Sequence, residues 1–306
     1  MNQALQHELA LLCRDGLKTQ AMLAPYTTFG IGGPADYLAI ITGLDELKAA
    51  LQLLHQQHTP FLLLGGGSNV LISDAGLPGL TIINRCKSIH WPRLTAPIAE
   101  IQVAAGVSLA GLARKSLHHG LAGLSWAVSI PGSVGGAIVG NAGAHGHEIA
   151  DVLHAVQVWH AGQIARWPAA EMAFSYRSSR LKQQPGPIIL SATLHLRPDT
   201  NHRAQALADA ALQQRRRSQP TGKSAGSIFK NPPGDYAGRL IEQVGLKGHC
   251  AGDACISTKH ANFIINRGHA TATQVMTLIR LAQEQVQARF GILLEPEIRF
   301  LGQHPS

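Results

Sequence analysis

Aromatic residues make up only 5% of this 306-residue sequence, and charged residues only 14%. The low charge, set against 45% hydrophobic residues, excludes a disordered polyelectrolyte and fits chains with proper cores. The scarcity of aromatics, with the densest basic run confined to Arg215-Arg216-Arg217, argues against a nucleic-acid-binding surface. Cysteine is sparse as well. Cys13, Cys86, Cys250 and Cys255 include no CxxC pair and no zinc ligand set, so four free thiols in a reducing compartment are expected. The opening MNQALQHELALLCRDGLK has no basic leader region, so a cytoplasmic location is expected.

Several familiar site patterns are missing too. No GxGxxG opens a helix after a strand, which excludes the usual dinucleotide fingerprint. Gly222-Lys223-Ser224 lacks the upstream glycine of a phosphate-binding P-loop, since Arg217 stands there. No GxSxG elbow surrounds Ser227, so serine hydrolase chemistry is not expected. His118, His119, His145, His147 and His260 are not spaced as ligands, and no metal site is expected. Between Gly120 and Gly146 there is no Asp, Glu, Lys or Arg. That length could span a bilayer, but Pro131, Asn141 and recurrent glycines would leave its backbone unsatisfied in lipid. It reads as a buried loop, and no membrane insertion is expected.

What is present points to small anionic ligands. The net charge is +8, which suits nucleotide diphosphates. Residues 44–58 place Leu44, Leu47, Leu51 and Leu54 on one helical face, with Thr42 as cap. Strands follow at 61–64, 80–84 and 99–106, then a helix over 109–119 capped by Ser108 and stopped by Gly120. Strands at 152–159 and 188–196 precede a basic helix over 202–217. A helix at 235–244, a strand at 262–266, a long amphipathic helix at 272–290 and a strand at 297–301 complete the chain.

Five segments carry chemistry. In LLLGGGSNVLISD (62–74), Gly65, Gly66 and Gly67 follow a buried strand, and successive N–H groups there can turn toward one anion, helped by Ser68 and Asn69. In SIPGSVGGAIVGNAGAHG (129–146), an uncharged glycine-rich chain can pack against a flat cofactor and its pyrophosphate. Tyr176-Arg177 in FSYRSSR can present a guanidinium to a carboxylate. Ser227 in SAGSIFKNP stands on a turn before Lys230, Asn231 and two prolines. Glu295 and Glu297 begin the closing strand, where a carboxylate can be a solvated edge charge or enter a cleft.

In this order and spacing, with TTFGIGGPADYL (27–38) before them, these segments resemble the UDP-N-acetylenolpyruvoylglucosamine reductase (MurB) family, from about residue 20 to residue 302. The short link after Tyr176-Arg177 resembles the shorter, type II form. The resemblance implies an α+β fold: a two-part FAD-binding region of the vanillyl-alcohol-oxidase/PCMH type plus a C-terminal α/β substrate-binding domain. The implied division is 1–84, 85–205 and 206–295, with 296–306 returning to the first part. It also implies noncovalent FAD, NADPH, a UDP-sugar substrate and a step of peptidoglycan synthesis; a monomer is the default. Arg177, Ser227 and Glu297 correspond to the family's catalytic residues: Arg177 contacts the substrate carboxylate, Ser227 gives a proton to C2, and Glu297, protonated, steadies the charge at C2. Tyr176, Arg215, Lys230 and Asn231 are implied substrate contacts. The pyrophosphate of FAD is assigned to Gly65, Gly66, Gly67, Ser68 and Asn69. Its flavin and ribityl parts are assigned to Ser129, Ile130, Pro131, Gly132, Gly135, Gly136, Gly140, Asn141 and Gly143. An FAD-linked oxidase of the same fold is the alternative reading.

Overall fold

The structure is a computed structural model that describes residues 1–13, 15–91, 97–184 and 186–304. The chain divides into two compact units. The first comprises 1–17, 39–66 and 81–215, and the second 18–38, 67–80 and 216–306.

The first unit is built on an antiparallel sheet. Its strands run in the order Gln163–Pro168, Leu153–His160, Ile188–Pro198, Ala99–Ala104 and Ile89–His90, and Leu121–Ala122 also pairs with Ile188–Pro198. Alternation decides its faces. On Ala99–Ala104, Ile101 and Val103 are buried while Glu100 and Gln102 are exposed. Two register shifts mark the pairing of Leu153–His160 with Ile188–Pro198, one of them at His154. The helix Leu109–His118 starts where expected: Ser108 Oγ accepts from the Gly111 N–H at 3.2 Å. The helix Leu44–Gln56 is capped by Gly43 rather than Thr42, with Asp45 and Glu46 in its first turn to suit the dipole.

In the second unit, Lys18–Met22 pairs antiparallel with the first half of Pro34–Ile41, from Lys18↔Leu38 to Met22↔Pro34. Arg299–Leu301 pairs in parallel with Val70–Ile72. The core gathers around the helix Ala272–Phe290, whose Val275, Leu278, Ile279, Ala282 and Val286 are all buried, as their spacing predicts. Burying each of the larger ones contributes about 1.5–3 kcal/mol. A capping box of Thr271 and Gln274 opens this helix, and Gly291 at φ 70° closes it. Asp74 adds a second cap, accepting from the N–H groups of Ala272 at 2.7 Å and Thr273 at 3.0 Å. The last residue of the GGGSNVLISD segment thus serves a helix nearly two hundred residues away.

One expectation is corrected here. Cys250 and Cys255 are not free thiols but a disulfide. They are direct partners in the antiparallel pairing of Cys250–Ala251 with Ala254–Ile256. Side chains opposite each other on such a ladder sit close enough to bond, a distance that a search for CxxC does not sample. Cys13 and Cys86 remain free and buried. Burial and the nearby Glu46 push the Cys86 thiol up to about 11, so it is an inert structural cysteine. Alkylation of the protein denatured without reductant is expected to label Cys13 and Cys86 alone, and all four cysteines after dithiothreitol. Four labels under both conditions, read by intact mass, would show the pair to be open.

Candidate active site

Ser227 is placed by a narrow strip of backbone. The Ile228 N–H donates to the Asn262 carbonyl at 2.9 Å, and the Ser227–Phe263 bridge lies beside it. The Asn262 side chain satisfies both backbone groups of Phe229, accepting at 2.9 Å and donating at 2.8 Å. On the other edge the Glu297 N–H donates to the Ile228 carbonyl at 2.8 Å, and the Lys230 N–H to the Glu295 carbonyl at 2.9 Å. Residues 227–230 therefore run between 262–263 and 295–297, and two motifs about seventy residues apart become neighbours. Ile228 and Phe229 anchor the strip in the core, while Ser227 and Glu297 are half-buried. Gly226, at φ 79°, makes the turn that leads into Ser227.

The side chains around the strip divide into supports and exposed groups. Asn69 Nδ2 donates to the Glu297 carbonyl at 3.1 Å, and the Arg299 N–H donates to the Asn69 carbonyl at 3.0 Å. Asn69 therefore holds the closing segment in place. Asn231 Oδ1 accepts from the Ala237 N–H at 3.1 Å and caps the helix Ala237–Gln243. Lys230 forms an ion pair with Glu295. His260 Nδ1 accepts from the Asn262 N–H at 3.3 Å. Burial pushes the His260 imidazole below its ordinary value, which keeps that nitrogen available as an acceptor. Asn262, the key fastener of the strip, carries no signature in the sequence.

Arg177 and Tyr176 belong to the first unit and are the two central residues of a tight turn. The N–H groups of Ser175 and Ser178 donate to each other's carbonyls at 3.1 and 3.0 Å. Arg177 sits at φ 56°, a left-handed conformation that costs a non-glycine residue about 1 kcal/mol. Such strain persists where the surroundings impose it. Here Lys182 Nζ donates to the Arg177 carbonyl at 2.9 Å. Asn141 Nδ2 donates to the Ser175 carbonyl at 3.1 Å, and Ser179 Oγ to the Val139 carbonyl at 2.8 Å. The glycine-rich segment thus fixes the turn that carries the arginine. The Tyr176 ring is 54% exposed, with the Arg177 guanidinium 5.5 Å from its centroid. Arg215 lies near the end of the helix Ala204–Ser218, where burial pushes its guanidinium below the usual value.

The glycines fall into two groups. A Cβ on Gly65 would meet Ser133 Oγ at 2.2 Å, and one on Gly66 would meet the Gly132 Cα at 2.7 Å. A Cβ on Gly135 would meet the Ala105 Cβ at 2.9 Å, and one on Gly143 the His147 carbonyl at 2.6 Å. In the second unit, Gly67 at φ 60° lies against the Tyr26 carbonyl. Gly66, Gly67 and Gly143 lie against backbone, whereas Gly65 and Gly135 lie against the side chains of Ser133 and Ala105. Gly136 and Gly140 differ: a Cβ there meets nothing closer than 3.4 and 3.5 Å. Gly136 is exposed on the short helix Val134–Val139, whose cap is Ser133. No acidic side chain lies between Gly120 and Gly146 to repel a pyrophosphate. Ser129, Ile130 and Pro131 lead into this helix. A glycine-lined, uncharged surface of this kind fits a dinucleotide flavin.

Comparison with known proteins decides the family. Residues 218–301 match the C-terminal domain of UDP-N-acetylenolpyruvoylglucosamine reductase, and residues 35–164 match the FAD binding domain. UDP-N-acetylenolpyruvoylglucosamine reductase 2 of Symbiobacterium thermophilum is 43% identical over 92% of this chain and 91% of its own. The Synechococcus sp. reductase is 46% identical over 92% and 89%. The chain belongs to the UDP-N-acetylenolpyruvoylglucosamine reductase family. Among solved structures, the family member from Thermus caldophilus superposes with a TM-score of 0.79 at 37% identity, over 94% of this chain and 100% of that one. The expected fold class, an FAD-binding region followed by the family's C-terminal domain, stands with these matches, and FAD and NADPH are the family's cofactors. Ser227, Lys230, Asn231 and Glu297 lie inside the family's C-terminal domain, and both glycine segments lie inside the FAD binding domain. Among the described residues, no helix is long and apolar enough to cross a membrane.

Proposed function

We propose that this chain reduces the enolpyruvyl group of UDP-N-acetylglucosamine enolpyruvate to the lactyl ether of UDP-N-acetylmuramate, a cytoplasmic step in peptidoglycan precursor synthesis. Membership of the reductase family over most of the chain's length is the observation that carries this reading. The strip that aligns Ser227 with the Glu297 segment supports the roles assigned to those two residues. The chemistry that FAD supplies when bound is hydride transfer, from NADPH to C3 of the enolpyruvyl group.

Addition of hydride at C3 leaves negative charge at C2, delocalised into the carboxylate. Arg177 meets that carboxylate with a fork of N–H donors, a geometry lysine does not reproduce. Its left-handed turn, held by Lys182 and Asn141, supports this role by fixing the backbone from which the side chain extends. Glu297, protonated, donates to the developing enediolate. Ser227 delivers its hydroxyl proton to C2 and so completes the reduction. Tyr176 lines the approach, and Lys230, Asn231 and Arg215 serve the diphosphate side, Lys230 in exchange with Glu295. Gly65 to Asn69 and Ser129 to Gly143 hold the flavin nucleotide, with Gly136 and Gly140 giving it room to approach the backbone. The protein acts as a monomer.

The test is an absorbance titration under anaerobic conditions. NADPH is expected to bleach the flavin bands, and UDP-N-acetylglucosamine enolpyruvate to restore them. Flavin that bleaches but ignores the sugar, or is reoxidised fast by oxygen alone, would move the activity to an oxidase of the same fold.

A further inference from the structure

We propose that Glu100, His154 and His195 form a surface site for a borderline divalent metal ion of the zinc class. The three side chains come from three adjacent strands of the first unit: Ala99–Ala104, Leu153–His160 and Ile188–Pro198. Their ligand atoms all lie within 4.8 Å of one another. Among the described residues they are the one group of three or more potential ligands so placed.

The backbone builds this arrangement. His195 and Glu100 are direct partners across the ladder, which brings His195 Nε2 to 3.5 Å from Glu100 Oε2. His154 sits at an irregularity of its own strand pair. Leu153 pairs with Leu194 and Ala155 with Thr193, so His154 is the extra residue of a bulge. The bulge is fixed by the His195 N–H, which donates to the Val152 carbonyl at 2.8 Å. Bulges re-aim a side chain, and this one lays the His154 ring on the His195 ring, with centroids 3.9 Å apart and planes 15° from parallel. Both histidines are half-buried and Glu100 is exposed. The site is thus seated on a rigid sheet and open to solvent on one side.

Two imidazoles and a carboxylate are donors of the zinc type, and the open side leaves positions for water. In a tetrahedral site with bonds of about 2.0–2.1 Å, neighbouring ligand atoms stand about 3.3 Å apart. The His195–Glu100 separation is already close to that. Capture of the ion requires the stacked rings to splay, because parallel rings aim their nitrogen lone pairs side by side. The bound ion then ties three strands together. The spacing of these residues in the sequence, at 100, 154 and 195, hides the group entirely.

The test is isothermal titration of the untagged holoenzyme with zinc chloride at neutral pH. One equivalent is expected to bind, and to raise Tm by about 5 °C at hundredfold excess over Kd. His154→Gln and His195→Gln are each expected to weaken that equivalent about 100-fold, with Glu100→Gln losing less. Flavin bleaching by NADPH stays unchanged in all three and reports an intact fold. In the unmodified protein, zinc is expected to move the ring signals of His154 and His195 in NMR spectra, out of 16 histidines. Zinc affinity unchanged in a protein carrying both His154→Gln and His195→Gln, or signals moving only at other histidines, would overturn the site and leave Glu100 and His195 an ordinary cross-strand pair.

Discussion

Replacing Ser227 with alanine is expected to leave reduction of the flavin by NADPH intact and to cut turnover of the enolpyruvyl sugar about 10³-fold, within the range of a lost general acid. The separation of the two half-reactions follows from what the hydroxyl does. Hydride transfer from NADPH has no use for a proton at C2 of the sugar. The second half-reaction ends only when C2 is protonated. The variant tests chemistry rather than folding, because the strip is held by the backbone of residues 228–230 and by Asn262, none of which is altered. Ser227 is half-buried and is followed by the buried pair Ile228 and Phe229, so loss of one oxygen leaves no cavity in the core. KM for the sugar should change little, since the hydroxyl matters after binding. Stopped-flow absorbance resolves both steps in one sample. A variant with slow bleaching and normal reoxidation would assign Ser227 to the nicotinamide step instead, and full turnover would remove it from the mechanism.

The parts of the fold legible in the sequence are those set by local rules. The face of the helix Ala272–Phe290, its stop at Gly291 and the Ser108 cap all follow from periodicity and capping chemistry over a few residues. The segments proposed for the site stand out as motifs, but the residues that support them do not. Asp74, Asn141, Ser179 and Asn262 are short polar residues whose partners lie tens to hundreds of positions away, and nothing near them in sequence announces those bonds. The same holds for Cys250 with Cys255 and for His154 with His195, which depend on strand register and on a bulge. Asn69 shows the limit most clearly. Its place after three glycines suggests an anion donor, yet its side chain reaches the Glu297 carbonyl. Arg177 adds a different kind of case: its left-handed turn is one that glycine or asparagine usually fills, so local preference points away from the residue that stands there.

Two glycines seventy residues apart are expected to respond in opposite ways to the same added methyl group. Gly66→Ala places a Cβ 2.7 Å from the Gly132 Cα and 3.0 Å from the Gly132 carbonyl carbon. The atoms it meets are backbone, which cannot swing aside as a side chain can. Overpacking of this kind costs about 3 kcal/mol, near the top of its usual range. Tm should fall by roughly 6–12 °C, with or without FAD. Gly136→Ala meets nothing closer than 3.4 Å, on an exposed helical position. There alanine is the better helix former by up to about 1 kcal/mol, so the apoprotein should be slightly more stable. If Gly136 is glycine because the flavin nucleotide lies against it, FAD affinity should drop at least tenfold, roughly 1.4 kcal/mol. The stabilisation that FAD gives to the wild type should shrink with it. Thermal melts of both variants, each with and without FAD, separate the two causes. A Gly136→Ala protein that binds FAD as tightly as the wild type would place the cofactor away from this helix. A Gly66→Ala protein that melts normally would mean that the Gly65–Gly66 and Gly132–Ser133 segments can move apart, and that their close packing is not what makes glycine necessary there.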